Sequence, residues 1–203
     1  MKKKIVLIGA GGHCKVIIDA IRLKKEFSIY GVTDFKFPEK TEVLGVPVLG
    51  RDDMLLEIFK KGIKYAFISV GSIGDCSIRK RIDGQLRKIG FKLPVIIHPK
   101  TVVAKDVEIE EGAFVAAGAV INPGTRIGRN AIINTSSSID HDCEIGDFVH
   151  IAPGVTLSGA VKVGSESHIG TGANVIQCIK IGKSAKIRAG ALVADDVADG
   201  KPG

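Results

Sequence analysis

The sequence predicts two structural regimes in one chain of 203 residues: a small α/β domain over residues 1–97, then a parallel β-helix of hexapeptide repeats over residues 98–203. Three observations carry this. From Val103 to Val193 every sixth residue is Val, Ile or Leu, sixteen positions without a miss. A second column, two residues earlier in each hexad, is small or β-branched throughout, running from Thr101 through Ala113, Ser137 and Cys143 to Ala191. Ahead of the repeat, apolar runs alternate with amphipathic ones around a glycine-rich turn, Gly9-Ala10-Gly11-Gly12-His13.

The first half is justified element by element. Residues 5–8 form a continuous apolar run that reads as a buried strand, and the glycine turn follows it. Residues 15–25 read as a helix, 28–33 as a strand ending at Asp34, and 46–49 as a short strand. A helix over 52–61, a strand over 65–70, a basic amphipathic helix over 75–89 and an extended segment over 92–97 complete the series. Strands and helices alternating at this length indicate a parallel sheet. The Gly9-x-Gly11-x-x-Cys14 turn, with Asp34 about 20 residues further on, nearly matches the dinucleotide fingerprint and makes the domain Rossmann-like. Cys14 stands where the third glycine belongs, and the half is short for two mononucleotide units. A mononucleotide or nucleotide-sugar site therefore fits better than a dinucleotide site. Backbone N–H groups at the helix start favour a phosphate there.

The second half has a period of six, which suits neither a helix (3.6) nor a free hairpin array (2). Three hexads per turn make a triangular coil of about 18 residues. The aliphatic column fills the interior, and the small column is expected to let the chain turn its corners. Gly128, Gly146, Gly164, Gly170 and Gly182 directly follow bulky positions, where a tight backbone bend is expected. Phe114 and Phe148 are expected on flat outer faces that pack against further copies of the chain.

Composition excludes several classes. Four scattered cysteines without a paired spacing favour a reducing cytoplasm over a disulfide framework. No apolar run reaches the roughly 18 residues that a membrane span needs. Net charge is +7, with 19 Lys/Arg against 10 Asp/Glu in residues 1–97 and 10 against 12 in the remainder. No RNA-binding aromatic motif or zinc-finger spacing accompanies the basic half, so a phosphorylated small molecule suits it better than nucleic acid.

Together, the Gly-Ala-Gly-Gly-His turn, the small α/β domain and the run from Asn134 to Ile151 resemble the family of sialic-acid O-acetyltransferases and nucleotide-amino-sugar N-acetyltransferases. One branch of that family acetylates a UDP-linked 4-amino-sugar in bacillosamine biosynthesis. The resemblance implies a left-handed β-helix, a homotrimer with sites between subunits, acetyl-CoA as cosubstrate without a metal, and a role in surface polysaccharide or glycan biosynthesis.

Acetyl transfer from a thioester needs a base for the attacking amine or hydroxyl and donors for the oxyanion. His141, between Asp140 and Asp142, fits the base. The resemblance assigns the supporting carboxylate to Asp142. Neighbours on a strand face opposite ways, so this pair requires a corner, and Asp140 stays a competitor. The resemblance further places Gly11, Gly12, His13, Thr33, Asp34, Gly71 and Asn134 around the sugar nucleotide. It places His150, Gly159, Gly170 and Thr171 along acetyl-CoA. His150 and His168 lie one coil apart and are expected to stack. Two other classes remain open: a β-helix zinc hydratase using three histidines, and a sugar-nucleotide-binding module without catalysis.

Overall fold

The computed structural model describes residues 2–36 and 41–203. The chain divides into two compact units: Met1–Gly71 with Ser77–Ile96, and Ser72–Cys76 with Ile97–Gly203. The five-residue strap Ser72–Cys76, numbered within the first half, belongs with the second unit.

The first unit is built on a five-stranded sheet in the order Glu42–Val43, Val46–Gly50, Phe27–Thr33, Lys3–Ile8, Tyr65–Ile68. All pairings are parallel except the hairpin at its edge. Ile5, Val6, Leu7 and Ile8 are buried almost completely, as a strand covered on both faces requires. Helix Gly12–Lys24 begins three residues earlier than its periodicity indicates, which draws Gly12 and His13 into its first turn. The segment read as one helix over 52–61 is a 3₁₀ turn, Asp52–Met54, running into the short helix Leu55–Lys60.

The connection leaves strand Lys3–Ile8 on one side and later returns to Tyr65–Ile68 on the other. The sheet order therefore switches at the carboxyl end of Lys3–Ile8, where open α/β sheets bind ligands. Gly9 makes this end possible. Its φ is +105°, its N–H donates to the Thr33 carbonyl at 2.8 Å, and an added Cβ would lie 2.5 Å from Val70.

The second unit is a parallel β-helix. Two-residue strands recur every six residues and assemble into three parallel sheets of six, five and six strands. Register is constant, with each strand pairing the strand 18 residues on: Val120 with Ser138, Ser138 with Thr156, Thr156 with Asn174. The repeat starts one hexad earlier than Val103, since Ile97 already packs against the interior. Both inward columns are buried: Ile121, Ile133, Ile139, Ile151 and Leu157 from the bulky one, and Ala113, Ala131, Cys143, Val149 and Val161 from the small one. Each fully buried aliphatic side chain contributes about 1.5–3 kcal/mol, so the stack holds itself together by a continuous apolar column.

The corners are not turned where the small column suggests. From Ala113 onward a left-handed residue immediately precedes each small position, at Asn130, Ser136, Asp142, Phe148, Ala160, Glu166, Cys178 and Ser184, with glycine at the other six. The glycines after bulky positions serve another purpose. None of Gly128, Gly146, Gly164, Gly170 and Gly182 has a positive φ. An added Cβ at Gly128 would instead lie 2.7 Å from the Gly146 backbone, and at Gly164 2.6 Å from the Gly182 backbone. Close rung-on-rung approach, not bending, demands them. Phe114 and Phe148 are also placed otherwise than expected: both are buried within the chain, at 1% and 7% exposure, so neither offers an outer packing surface.

Candidate active site

His141 and Asp142 occupy one two-residue corner between the strands Ser138–Ile139 and Glu144–Ile145. Main-chain bonds hold that corner from both sides: Asp142 N–H donates to the Pro123 carbonyl and Ala160 N–H donates to the His141 carbonyl, each at 2.9 Å. Asp142 is left-handed, φ 59°. This turns its carboxylate back on its neighbour, and Asp142 Oδ2 lies 2.8 Å from His141 Nδ1. A carboxylate only accepts, so Nδ1 carries a proton and, in the neutral ring, Nε2 keeps its lone pair. The hydrogen bond from Asp142, followed by the nearby Asp140 charge, raises the His141 pKa. Both side chains are more than half exposed.

Asp140 has a different task from Asp142. Its Oδ1 accepts the main-chain N–H of His141 at 2.8 Å and the side-chain N–H of Asn122 at 2.9 Å. These two bonds hold the Asp140 carboxyl below its ordinary pKa. The competition between the two carboxylates is thereby settled in geometry: Asp142 bonds the ring and Asp140 bonds the main chain.

Two glycines leave room for this arrangement. An added Cβ at Gly159, on the next rung, would lie 2.6 Å from both Cε1 and Nε2 of His141. At Gly124, on the previous rung, it would lie 2.3 Å from Asp142 Oδ1. Gly159, expected only along the cofactor, thus also floors the imidazole.

A second cluster of directed bonds surrounds His150, which is 8% exposed. Thr135 N–H donates to Asn134 Oδ1 at 2.8 Å, so the amide nitrogen of Asn134 faces His150 Nε2 at 3.1 Å. Nε2 therefore accepts, and Nδ1–H donates to the Ser72 carbonyl on the strap. Every link has one possible direction, which fixes a neutral Nδ1–H imidazole. His168 stacks edge-on against His150, centroids 4.9 Å apart, in the register its spacing requires. Burial, then the Lys186 charge, lowers the His168 pKa. Gly170 is buried, with an added Cβ 2.5 Å from the Ala189 nitrogen, while Thr171 beside it is exposed.

In the first unit, six expected residues gather at the carboxyl end of the sheet. Gly11 caps helix Gly12–Lys24 without a side-chain bond, no acidic residue stands in the first turn, and an added Cβ at Gly11 or Gly12 would meet nothing. That is an anion-accepting helix start. His13 lies beside Gly71, whose added Cβ would meet the His13 Cβ at 3.6 Å. Asp34 accepts the Ala10 N–H at 2.7 Å and the Lys36 N–H at 2.7 Å, so its carboxylate shapes the glycine turn. Thr33 is fully buried and donates its hydroxyl to Asp52 at 2.8 Å, so its side chain presents nothing to a ligand. Cys14, at the third-glycine position, is buried and its thiol is pushed up to about 11, mainly by desolvation, which makes it inert.

Among the described residues no three His, Cys, Asp or Glu side chains group as a metal would need. No helix among them is long and apolar enough to cross a membrane.

Known proteins share both halves. Residues 4–86 match the PglD N-terminal domain, and residues 124–159 match the bacterial transferase hexapeptide (six repeats). GDP-perosamine N-acetyltransferase of Escherichia coli O157:H7 is 31% identical over 161 residues, covering 76% of this chain and 70% of that protein. The chain belongs to the hexapeptide-repeat sugar N-acetyltransferases. PerB from Caulobacter crescentus, solved with CoA and GDP-perosamine, is 38% identical with a TM-score of 0.90, over 97% of this chain and 91% of that one. The acetyltransferase domain of PglB from Neisseria gonorrhoeae, solved with acetyl coenzyme A, is 35% identical with a TM-score of 0.89, over 100% of this chain and 97% of that one.

Three residues of the arrangement carry no motif signal: Asn122, Gly124 and Ser72. Asn122 and Gly124 were findable in principle, since each stands 18 residues before Asp140 and Asp142 and so one rung below. Ser72 lies 78 residues from His150, and no periodicity reaches that far.

Proposed function

We propose that the chain transfers the acetyl group of acetyl-CoA to the amino group of a nucleotide-linked sugar, with His141 as general base. The amine nitrogen attacks the thioester carbonyl carbon while His141 Nε2 takes the amine proton, giving a tetrahedral oxyanion. Collapse breaks the carbon–sulfur bond, and the imidazolium returns its proton to the departing thiolate of CoA. No enzyme-bound acyl group is needed. The carrying observation is the His141 Nδ1–Asp142 Oδ2 bond, which leaves Nε2 as a basic nitrogen on an exposed corner.

The relatives support the reading. The Caulobacter enzyme was solved with CoA and GDP-perosamine, and again with a histidine replaced by asparagine or by alanine. In this reading Gly11, Gly12, His13, Asp34 and Gly71 hold the nucleotide, and Thr33 contributes main chain only. Gly159, Gly170 and Thr171 line the acetyl-CoA arm, and Asn134 faces the sugar nucleotide. His150, both of whose ring nitrogens are engaged, orders the Asn134 amide there. The active unit is a homotrimer acting in the cytoplasm, where acetyl-CoA and nucleotide sugars are made.

Acetyl transfer to GDP-perosamine and to UDP-linked 4-amino-sugars, measured with the unaltered protein and with His141→Ala, tests the reading. Turnover confined to the protein with His141 supports it. Equal turnover by both, or CoA binding without turnover on any nucleotide amino-sugar, sinks it. Sedimentation alongside the assay checks the trimer.

A further inference from the structure

We propose that Asn122 is a positioning residue for the base, acting through Asp140 on the main chain of His141. The argument starts from one oxygen. Asp140 Oδ1 accepts the Asn122 side-chain N–H from the rung below and the His141 main-chain N–H in the same corner, at 2.9 and 2.8 Å. The Asp140 carbonyl accepts the Thr125 hydroxyl at 3.0 Å, so both polar ends of Asp140 are tied. The corner that follows contains a left-handed aspartate, a conformation that costs about 1 kcal/mol or more without outside support. Asn122 holds the Asp140 carboxylate in place across the rung, at the entry to that corner.

Groups facing His141 make the assignment selective. On its own corner stand Asp140 and Asp142, the two carboxylates that raise its pKa. On the rung below, Pro123 and Gly124 carry no charge, and on the rung above Ser158, Gly159 and Ala160 carry none. The Cys143 thiol, pushed up to about 11 chiefly by burial, is neutral. Asp140 is thus the one charge besides Asp142 acting on the ring among these neighbours, and Asn122 sets where it sits.

The inference rests on His141 being the base, and the test separates the two. Asn122→Ala, Asn122→Gln and Asp140→Asn are assayed for kcat, for both KM values and for thermal melting. The His141 imidazole is titrated by NMR in each, a readout that needs no turnover. Asp140→Asn keeps an oxygen for both bonds but removes the charge. The expected results are a fall in kcat of about tenfold in Asn122→Ala with KM and melting unchanged, partial recovery in Asn122→Gln, and a downward move of the His141 titration in Asp140→Asn. A kcat for Asn122→Ala within twofold of the unaltered protein overturns the inference, as does an unmoved titration in Asp140→Asn. If His141→Ala stays active while these titrations move, the base assignment falls and the positioning of the ring stands.

Discussion

His141 and Asp142 are neighbours in sequence and hydrogen-bond partners in space, Nδ1 to Oδ2 at 2.8 Å, because Asp142 adopts a left-handed backbone at a corner of the β-helix. On a straight strand their side chains would diverge to opposite faces. The corner that the coil needs for its own closure supplies the geometry that a base needs.

The raised His141 pKa sets the pH dependence. A base must be neutral to take a proton, so the acid limb of kcat/KM lies above the ordinary histidine value of 6.5. Asp142→Asn keeps an acceptor oxygen but takes the charge out of the bond that is the largest cause of that rise, so the limb moves to lower pH while the plateau falls about 10- to 100-fold. A pH–rate profile of the two proteins checks both movements.

Asp142→Gly separates fold from chemistry. Glycine accepts φ 59° freely, which relieves about 1 kcal/mol of backbone cost. It also makes the unfolded chain more flexible, by about 0.4–1 kcal/mol in the opposite sense. Thermal melting is therefore expected to stay within a few degrees while acetyl transfer drops as in Asp142→Asn. Calorimetry and the transfer assay together decide it.

Gly159→Ala should disable the enzyme without unfolding it. The added methyl would press within 2.6 Å of His141 Nε2, and the exposed ring can swing away from it. A ring displaced by about 1 Å costs about 100-fold in kcat. Kinetics with a circular-dichroism melt will show activity lost and the melt retained.

The two classes of glycine are expected to behave differently. Gly164→Ala drives a methyl to 2.6 Å from backbone atoms of the next rung, which have nowhere to retreat. It should destabilise by about 1–3 kcal/mol or more. At Gly154, with φ +67° and open space, alanine meets only the left-handed penalty of about 1 kcal/mol. Denaturant melts of both variants rank them.

The His150 lock has a spectroscopic consequence. In the unaltered protein, two-bond proton–nitrogen NMR correlations should report a neutral Nδ1–H ring. Asn134→Asp puts an acceptor opposite Nε2, where only a donor now stands at 3.1 Å, and the ring should become doubly protonated. A neutral Nε2–H ring in the unaltered protein would remove the lock.

The hexad columns by themselves determined the β-helix, its coil length and its interior, because a period of six has one way to bury both columns. Alternation of strand and helix likewise determined the sheet of the first half, and the glycine turn, that domain and the Asn134–Ile151 run together pointed to the family. Tertiary structure alone decided which carboxylate serves His141, why Gly159 must be glycine, and that Thr33, Phe114 and Phe148 are buried. The first two depend on a backbone torsion or on contact between rungs 18 residues apart. Neither leaves a mark in local composition, since side-chain type records what a position buries and not which way a corner turns.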